Sequence, residues 1–167
     1  MAGAPRSRCG RIVERATFWI ATAAVIAALA AVPATAAPAN DTRTAEAVVT
    51  AQILETRQES TLNKCLAASP TKNTPCIRRE ALALSKLADR EITTISSSLD
   101  GTERDCVRTV ANLELASLRL LKAAGLALHA NQRKKARGLF IKSLAISDQE
   151  KPIQPGCFSL VLGGNGG

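Results

Sequence analysis

Four cysteines, Cys65, Cys76, Cys106 and Cys157, stand beyond an N-terminal export signal, at places where helices folding back on one another would end. In an oxidising compartment such cysteines pair, and a disulfide holds its two Cα atoms within about 7 Å. The helix ends therefore decide which pairs can form.

The signal itself has three zones. Arg6, Arg8, Arg11 and Arg15 come first, an uninterrupted apolar run follows from Ala16 to Val32, and the small-residue site Ala34-Thr35-Ala36 closes it. That order defines a secretory signal peptide over 1–37, with cleavage expected after Ala36 or Ala37. The competing arrangement is a retained membrane anchor, since about 17 residues lie at the short edge of a spanning helix. The alanine content of the run and the break at Pro33 favour removal. No cysteine follows the run where a lipoprotein would need one, and Cys9 leaves with the signal.

Removal of 1–37 leaves 130 residues, enough for one domain with its own core. The net charge falls from +8 to +5, with eighteen basic and thirteen acidic residues remaining. Phe140 and Phe158 are then the only aromatics. A core of Leu, Ile, Val and Ala suits closely packed helices better than a sheet, which favours β-branched and aromatic side chains.

From Thr42 the apolar positions Val48, Ala51, Leu54, Leu62, Cys65 and Leu66 recur at helical spacing. This first helix stops at Ser69, because Pro70 disfavours helical backbone in the residue before it. Thr74 then caps a second helix with Pro75 at its first position, where the missing N–H costs nothing. Ile77, Ala81, Leu84, Ala88, Ile92, Ile95 and Leu99 form its seam, and Gly101 ends it. Thr102 with Asp105 resembles a capping box and opens the third helix. That helix carries Cys106, Val107, Val110, Leu113, Ser117, Leu118, Leu120, Leu121, Ala124 and Leu128, and as the most apolar it is expected to be central. After a break at Asn131, a fourth helix runs through Ala136, Leu139, Phe140 and Leu144 to about Ser147. Pro152 and Pro155 bar further helix, so 149–167 reads as an irregular tail that is disordered at its glycine-rich end.

The expected fold is therefore all-α: an up-down antiparallel four-helix bundle over 38–148, with an irregular C-terminal tail. In it Cys65 and Cys76 share one end, and Cys106 and Cys157 the other. The second helix, some 24 residues long, separates these ends by roughly 35 Å. Of the three possible pairings of four cysteines, only Cys65 with Cys76 and Cys106 with Cys157 fits. The second bond would tie the tail back onto the bundle. Zinc ligation lacks the short Cys-x-x-Cys spacing and has one histidine to help, so no metal and no cofactor are expected.

Catalytic constellations are missing as well. His129 is the sole histidine, with neither Gly-x-Ser-x-Gly nor His-Glu-x-x-His beside it; a solvent-facing position near a helix end is expected. Asp89 with Glu91, and Glu103 with Asp105, are two apart and do not share a helical face, so they read as solvated charges. Two phenylalanines offer little for stacking sugars or bases, and sequence-specific nucleic-acid binding is not expected.

One local anomaly remains. Arg133, Lys134, Lys135 and Arg137 crowd the first turns of the fourth helix, where positive charge opposes the helix dipole. In the expected topology Lys64, Lys72, Arg78 and Arg79 share that end, while Asp41, Glu46, Glu91, Asp100, Glu103, Asp105, Asp148 and Glu150 gather at the other. A cationic end of this kind suits a polyanion such as phospholipid headgroups, a cell-wall polymer or an acidic protein.

Across the third and fourth helices Ala127, Asn131, Ala136, Phe140 and Ser143 resemble a single degenerate tetratricopeptide repeat, without its Tyr and Gly and without a second copy at the 34-residue period. The resemblance implies a peptide-binding or assembly role; on the residues alone, it reads as two helices packed tightly through small side chains. The functional expectation is a secreted or periplasmic, non-catalytic binding or inhibitor-like module. Its partner would be a protein or a polyanionic envelope component, with membrane contact at most peripheral once the signal is removed. The alternative is an envelope-associated structural protein that holds anionic lipid or cell-wall polymer through its basic end, with Arg78, Arg79, Arg133, Lys134, Lys135 and Arg137 as the contacts.

Overall fold

Prolines divide the first two helices much as their backbone chemistry requires. In the computed structural model, which describes residues 38–163, helix α1 spans Ala39–Ala68 and ends directly before Ser69 and Pro70. Helix α2 spans Pro75–Ser98, and Thr74 caps it by accepting from the Ile77 N–H at 3.3 Å. It closes in a turn where Thr102 N–H donates to the Leu99 carbonyl and Gly101 adopts φ +80°. A side chain on Gly101 would also strike Asn40, whose amide donates to the Gly101 carbonyl at 3.3 Å. The export signal and residues 164–167 lie outside the described residues.

Helix α3 spans Asp105–His129 and α4 spans Arg133–Glu150. Between them Asn131 takes the left-handed conformation (φ 61°). Gln132 N–H donates to the Ala127 carbonyl at 2.7 Å and Asn131 N–H to Leu128 at 3.0 Å. This reciprocal pair is the Schellman closure, in which an αL residue after the helix lets two orphan carbonyls be satisfied.

The expected irregular tail is corrected. Helix α4 continues to Glu150, and a fifth helix, α5, spans Gln154–Leu162. Pro152 does stop α4, but Pro155 sits in the first turn of α5, where its missing N–H has no partner to lose. The described chain is thus all-helical with five helices rather than four.

Its neighbours are set by contact. Helix α3 touches each of the other four and is central; α1 lies chiefly on α2, and α5 seats against α1 and α3. Thr44 near the start of α1 meets Ser98 at the end of α2, and Asn73 before α2 meets Leu128 at the end of α3. The α2 and α3 backbones come close: a Cβ on Gly125 would lie 2.5 Å from the Ala81 carbonyl oxygen.

Two apolar clusters fill the interior. One joins Ala45, Val48, Ile95, Val110 and Leu118 to Cys157, Phe158 and Val161 of α5, so the tail residues are core residues. The other joins Leu62, Ile77, Leu84, Leu128 and Ala136. Phe140 packs against both. Helix α4 differs from the rest, because its buried residues other than Ala136 are Ser143, Ser147 and Glu150. Ser117 and Ser143 share a hydrogen bond of 2.8 Å between α3 and α4, so these helices adhere through hydroxyls as well as through Ala136 and Phe140. Ala127, Ala136 and Ser143 are all buried at that junction.

Candidate functional site

Both cysteine pairs form as their helix positions require. Cys65 bonds Cys76 and Cys106 bonds Cys157, each with Cα atoms 5.8 Å apart. Each bond marks one end of the molecule, and the two ends handle charge differently.

At the Cys106–Cys157 end the start of α3 is capped from another helix. Thr102 is not the cap: its buried hydroxyl meets Thr44 Oγ1 at 2.9 Å, Arg104 is the N-cap residue, and no local side chain accepts from the first turn. Instead Asp41 of α1, fully buried, accepts from the Glu103 N–H at 2.8 Å and the Arg104 N–H at 3.3 Å. A carboxylate facing a helix N-terminus gains from the dipole and from charge-assisted hydrogen bonds. Arg104 Nε balances Asp41 at 3.5 Å, Arg108 faces Asp105 at 3.8 Å, and Lys151 faces Asp148 at 2.6 Å.

The Cys65–Cys76 end is fixed by Arg133. Its guanidinium donates to the carbonyls of Ser69, Pro70 and Lys72, just past the C-terminus of α1. A cation at that position meets the negative end of the α1 dipole, which offsets its poor placement at the start of α4. Asn73 donates to the Leu128 carbonyl at 3.2 Å, and exposed His129 donates from Nδ1 to the Arg78 carbonyl at 3.0 Å. Arg79 is held by Glu80 at 2.7 Å. That contact, together with the Gln58 amide at 3.1 Å, keeps the Glu80 carboxyl below its ordinary value.

The remaining cations at this end are arranged around Arg133. Lys64 precedes Cys65 and Lys72 lies in the α1–α2 connection; Arg78 follows Cys76, while Lys134, Lys135 and Arg137 continue from Arg133. All six are exposed, and none has an acidic partner among the described residues. The surface around Asn131, Gln132, Arg133, Lys134 and Lys135 is open and shallow.

The other residues singled out in the sequence are placed as follows. Asp89 is exposed and pairs with Lys122 at 2.6 Å. Glu91 is not solvated as expected but buried, with Arg90 Nε at 2.8 Å, because α2 turns that side toward its neighbours. Glu103 and Asp105 are exposed.

A polar knot escaped sequence reasoning. Gln52 donates to Glu150 Oε1 at 2.6 Å and Glu114 Oε2 at 3.4 Å, and it accepts from Gln154 at 2.8 Å. The knot links α1, α3, α4 and α5. Among the described residues no group of three or more His, Cys, Asp or Glu could hold a metal ion, and no helix is long and apolar enough to cross a membrane. Comparison with family models, curated proteins and solved structures finds no match.

Proposed function

We propose that this protein is an exported, non-catalytic binding module, in which α1 to α4 fold up and down, α5 straps them, and the cationic end is the working surface. The observation that carries the reading is the set of exposed cations on a rigid frame. The Cys65–Cys76 bond and the Arg133 clamp hold the α1–α2 connection against the start of α4. Lys64, Lys72, Arg78, Lys134, Lys135 and Arg137 then project from fixed backbone, with no acidic partner among the described residues. Like charges held together repel, and an anionic partner relieves that repulsion. Of the other expected contacts, Arg133 is engaged within the protein and serves the frame, while exposed Arg79 pairs with the neighbouring Glu80.

Export rests on the signal at 1–37 and agrees with two disulfides in a small domain. N-terminal sequencing of the processed protein should begin at Ala37 or Pro38.

Immobilised polyphosphate tests the binding reading with the processed, oxidised protein. Retention is expected at about 0.05 M salt, with release as screening lengths shorten. Reversal to Glu at Arg78, Lys134, Lys135 and Arg137 should abolish it, whereas Arg43→Glu on the early part of α1 should leave it unchanged. Passage of the native protein through the column, or retention indifferent to the four reversals, would refute the assignment.

A further inference from the structure

We infer that the cationic end docks on the surface of an anionic lipid bilayer; the inference rests on the binding reading above and names its partner. Three observations select a bilayer. The six exposed cations come from three separate stretches, 64–72, 78 and 134–137, all at one end of the molecule, so they spread over an area instead of following one helix. The surface around Asn131 to Lys135 is open and shallow, which suits a broad partner better than a strand that must be enclosed.

Apolar atoms are interspersed with these charges. Leu126, on the last turn of α3, is 47% exposed, and Ala67, Ala68 and Pro70 are exposed beside the α1–α2 connection. An apolar side chain among cations matches the boundary between headgroups and acyl chains, where electrostatic attraction and apolar burial act together.

Docking would be peripheral and reversible. The end would lie on the headgroups, with Leu126 at their level and Cys106–Cys157 pointing away. Each Lys or Arg near such a surface strengthens partitioning about fivefold at ordinary salt.

The test is sedimentation of the processed, oxidised protein with lipid vesicles. Expected is co-sedimentation with phosphatidylcholine vesicles containing about 30 mol% phosphatidylglycerol, and none with phosphatidylcholine alone. Replacing Lys134, Lys135 and Arg137 together by Gln should weaken partitioning about 100-fold. Unchanged thermal unfolding would show that the triple variant is folded. In the processed protein Leu126→Trp supplies a lone tryptophan, Trp19 having left with the signal, and its emission should shift to the blue on the anionic vesicles only. Equal sedimentation with both vesicles, or indifference to the triple substitution, overturns the inference. Retention on polyphosphate without vesicle binding overturns it too, while the broader reading survives. If the protein binds neither, both fall.

Discussion

The two ends of the molecule solve one structural problem with opposite charges. At the Cys106–Cys157 end a carboxylate, Asp41, reaches from α1 to the N–H groups that precede α3. At the Cys65–Cys76 end a guanidinium, Arg133, reaches from α4 to the carbonyls that follow α1. Each sign fits the helix terminus it faces. They differ in what is left over. Three acid–base pairs form at the first end, whereas six cations at the second meet no acid among the described residues. Formal charge counted along a sequence is therefore a poor guide to charge a partner can use; pairing decides it.

The sharpest way to probe this contrast is to open each disulfide. Cys106 and Cys157 are 51 residues apart and Cys65 and Cys76 only 11. The chain-entropy estimate is about 4 kcal/mol for the longer loop and about 3 for the shorter. Urea denaturation of the two double Cys→Ala variants should show the larger loss at the Cys106–Cys157 end. That end should lose more than entropy predicts, since Cys157, Phe158 and Val161 belong to the core that α5 completes. Equal losses would mean that α5 stays docked without its bond.

Asp41→Ala comes next. It removes two charge-assisted hydrogen bonds and leaves Arg104 without its counter-charge, at a cost of about 2 to 3 kcal/mol. Hydrogen exchange should quicken first in the opening turn of α3. Protection unchanged there would show that the cap contributes little.

Local chemistry made part of this legible in advance. Pro70, Thr74, Pro75 and Gly101 act on their own backbone, so the limits of α1 and α2 follow from residues within a few positions. The cysteine pairing followed from helix length, which depends on count alone. Helix α5 did not, because Pro152, Pro155 and Gly156 resemble breakers, and only position within the first turn makes Pro155 compatible with helix. The buried side of α4 was legible in part: Ala136, Phe140 and Ser143 read as packing positions, whereas Ser147 and Glu150 give no apolar periodicity. Asp41 and Arg133 find their partners about sixty residues away, beyond any local rule. Of the candidate site, the concentration of cations was readable; that Arg133 is withdrawn from it to hold the frame was not.

Arg133 and its neighbours should therefore behave oppositely. Arg133→Ala should destabilise by about 0.5 to 1.5 kcal/mol through loss of the clamp on the α1–α2 connection. Lys at that position should not restore stability, because one ammonium cannot reproduce the planar fork that spans three carbonyls. Lys134→Ala and Lys135→Ala should instead stabilise by about 0.3 to 1 kcal/mol each, relieving positive charge at the start of α4. Thermal unfolding of the four variants measures the divergence. Should all of them destabilise alike, the division between frame and working surface would be lost.

The smallest expected effect concerns Glu80, the acid beside Arg79 at the cationic end. Arg79 and then Gln58 hold its carboxyl below the ordinary value of 4.5, so the folded state binds a proton there less readily than the unfolded chain. Its contribution is fully present above pH 4.5 and is lost as the pH falls through the depressed folded value. Because Arg79 is exposed, the contribution is below about 1 kcal/mol. Glu80→Gln should thus lower stability slightly at pH 7, with the difference from the native protein shrinking toward zero under acid. Losing this acid also frees Arg79, adding a seventh unpaired cation. The same variant should therefore bind anionic vesicles more tightly at pH 7 while unfolding more readily, and a rise in stability without a gain in binding would place Glu80 outside the cationic surface.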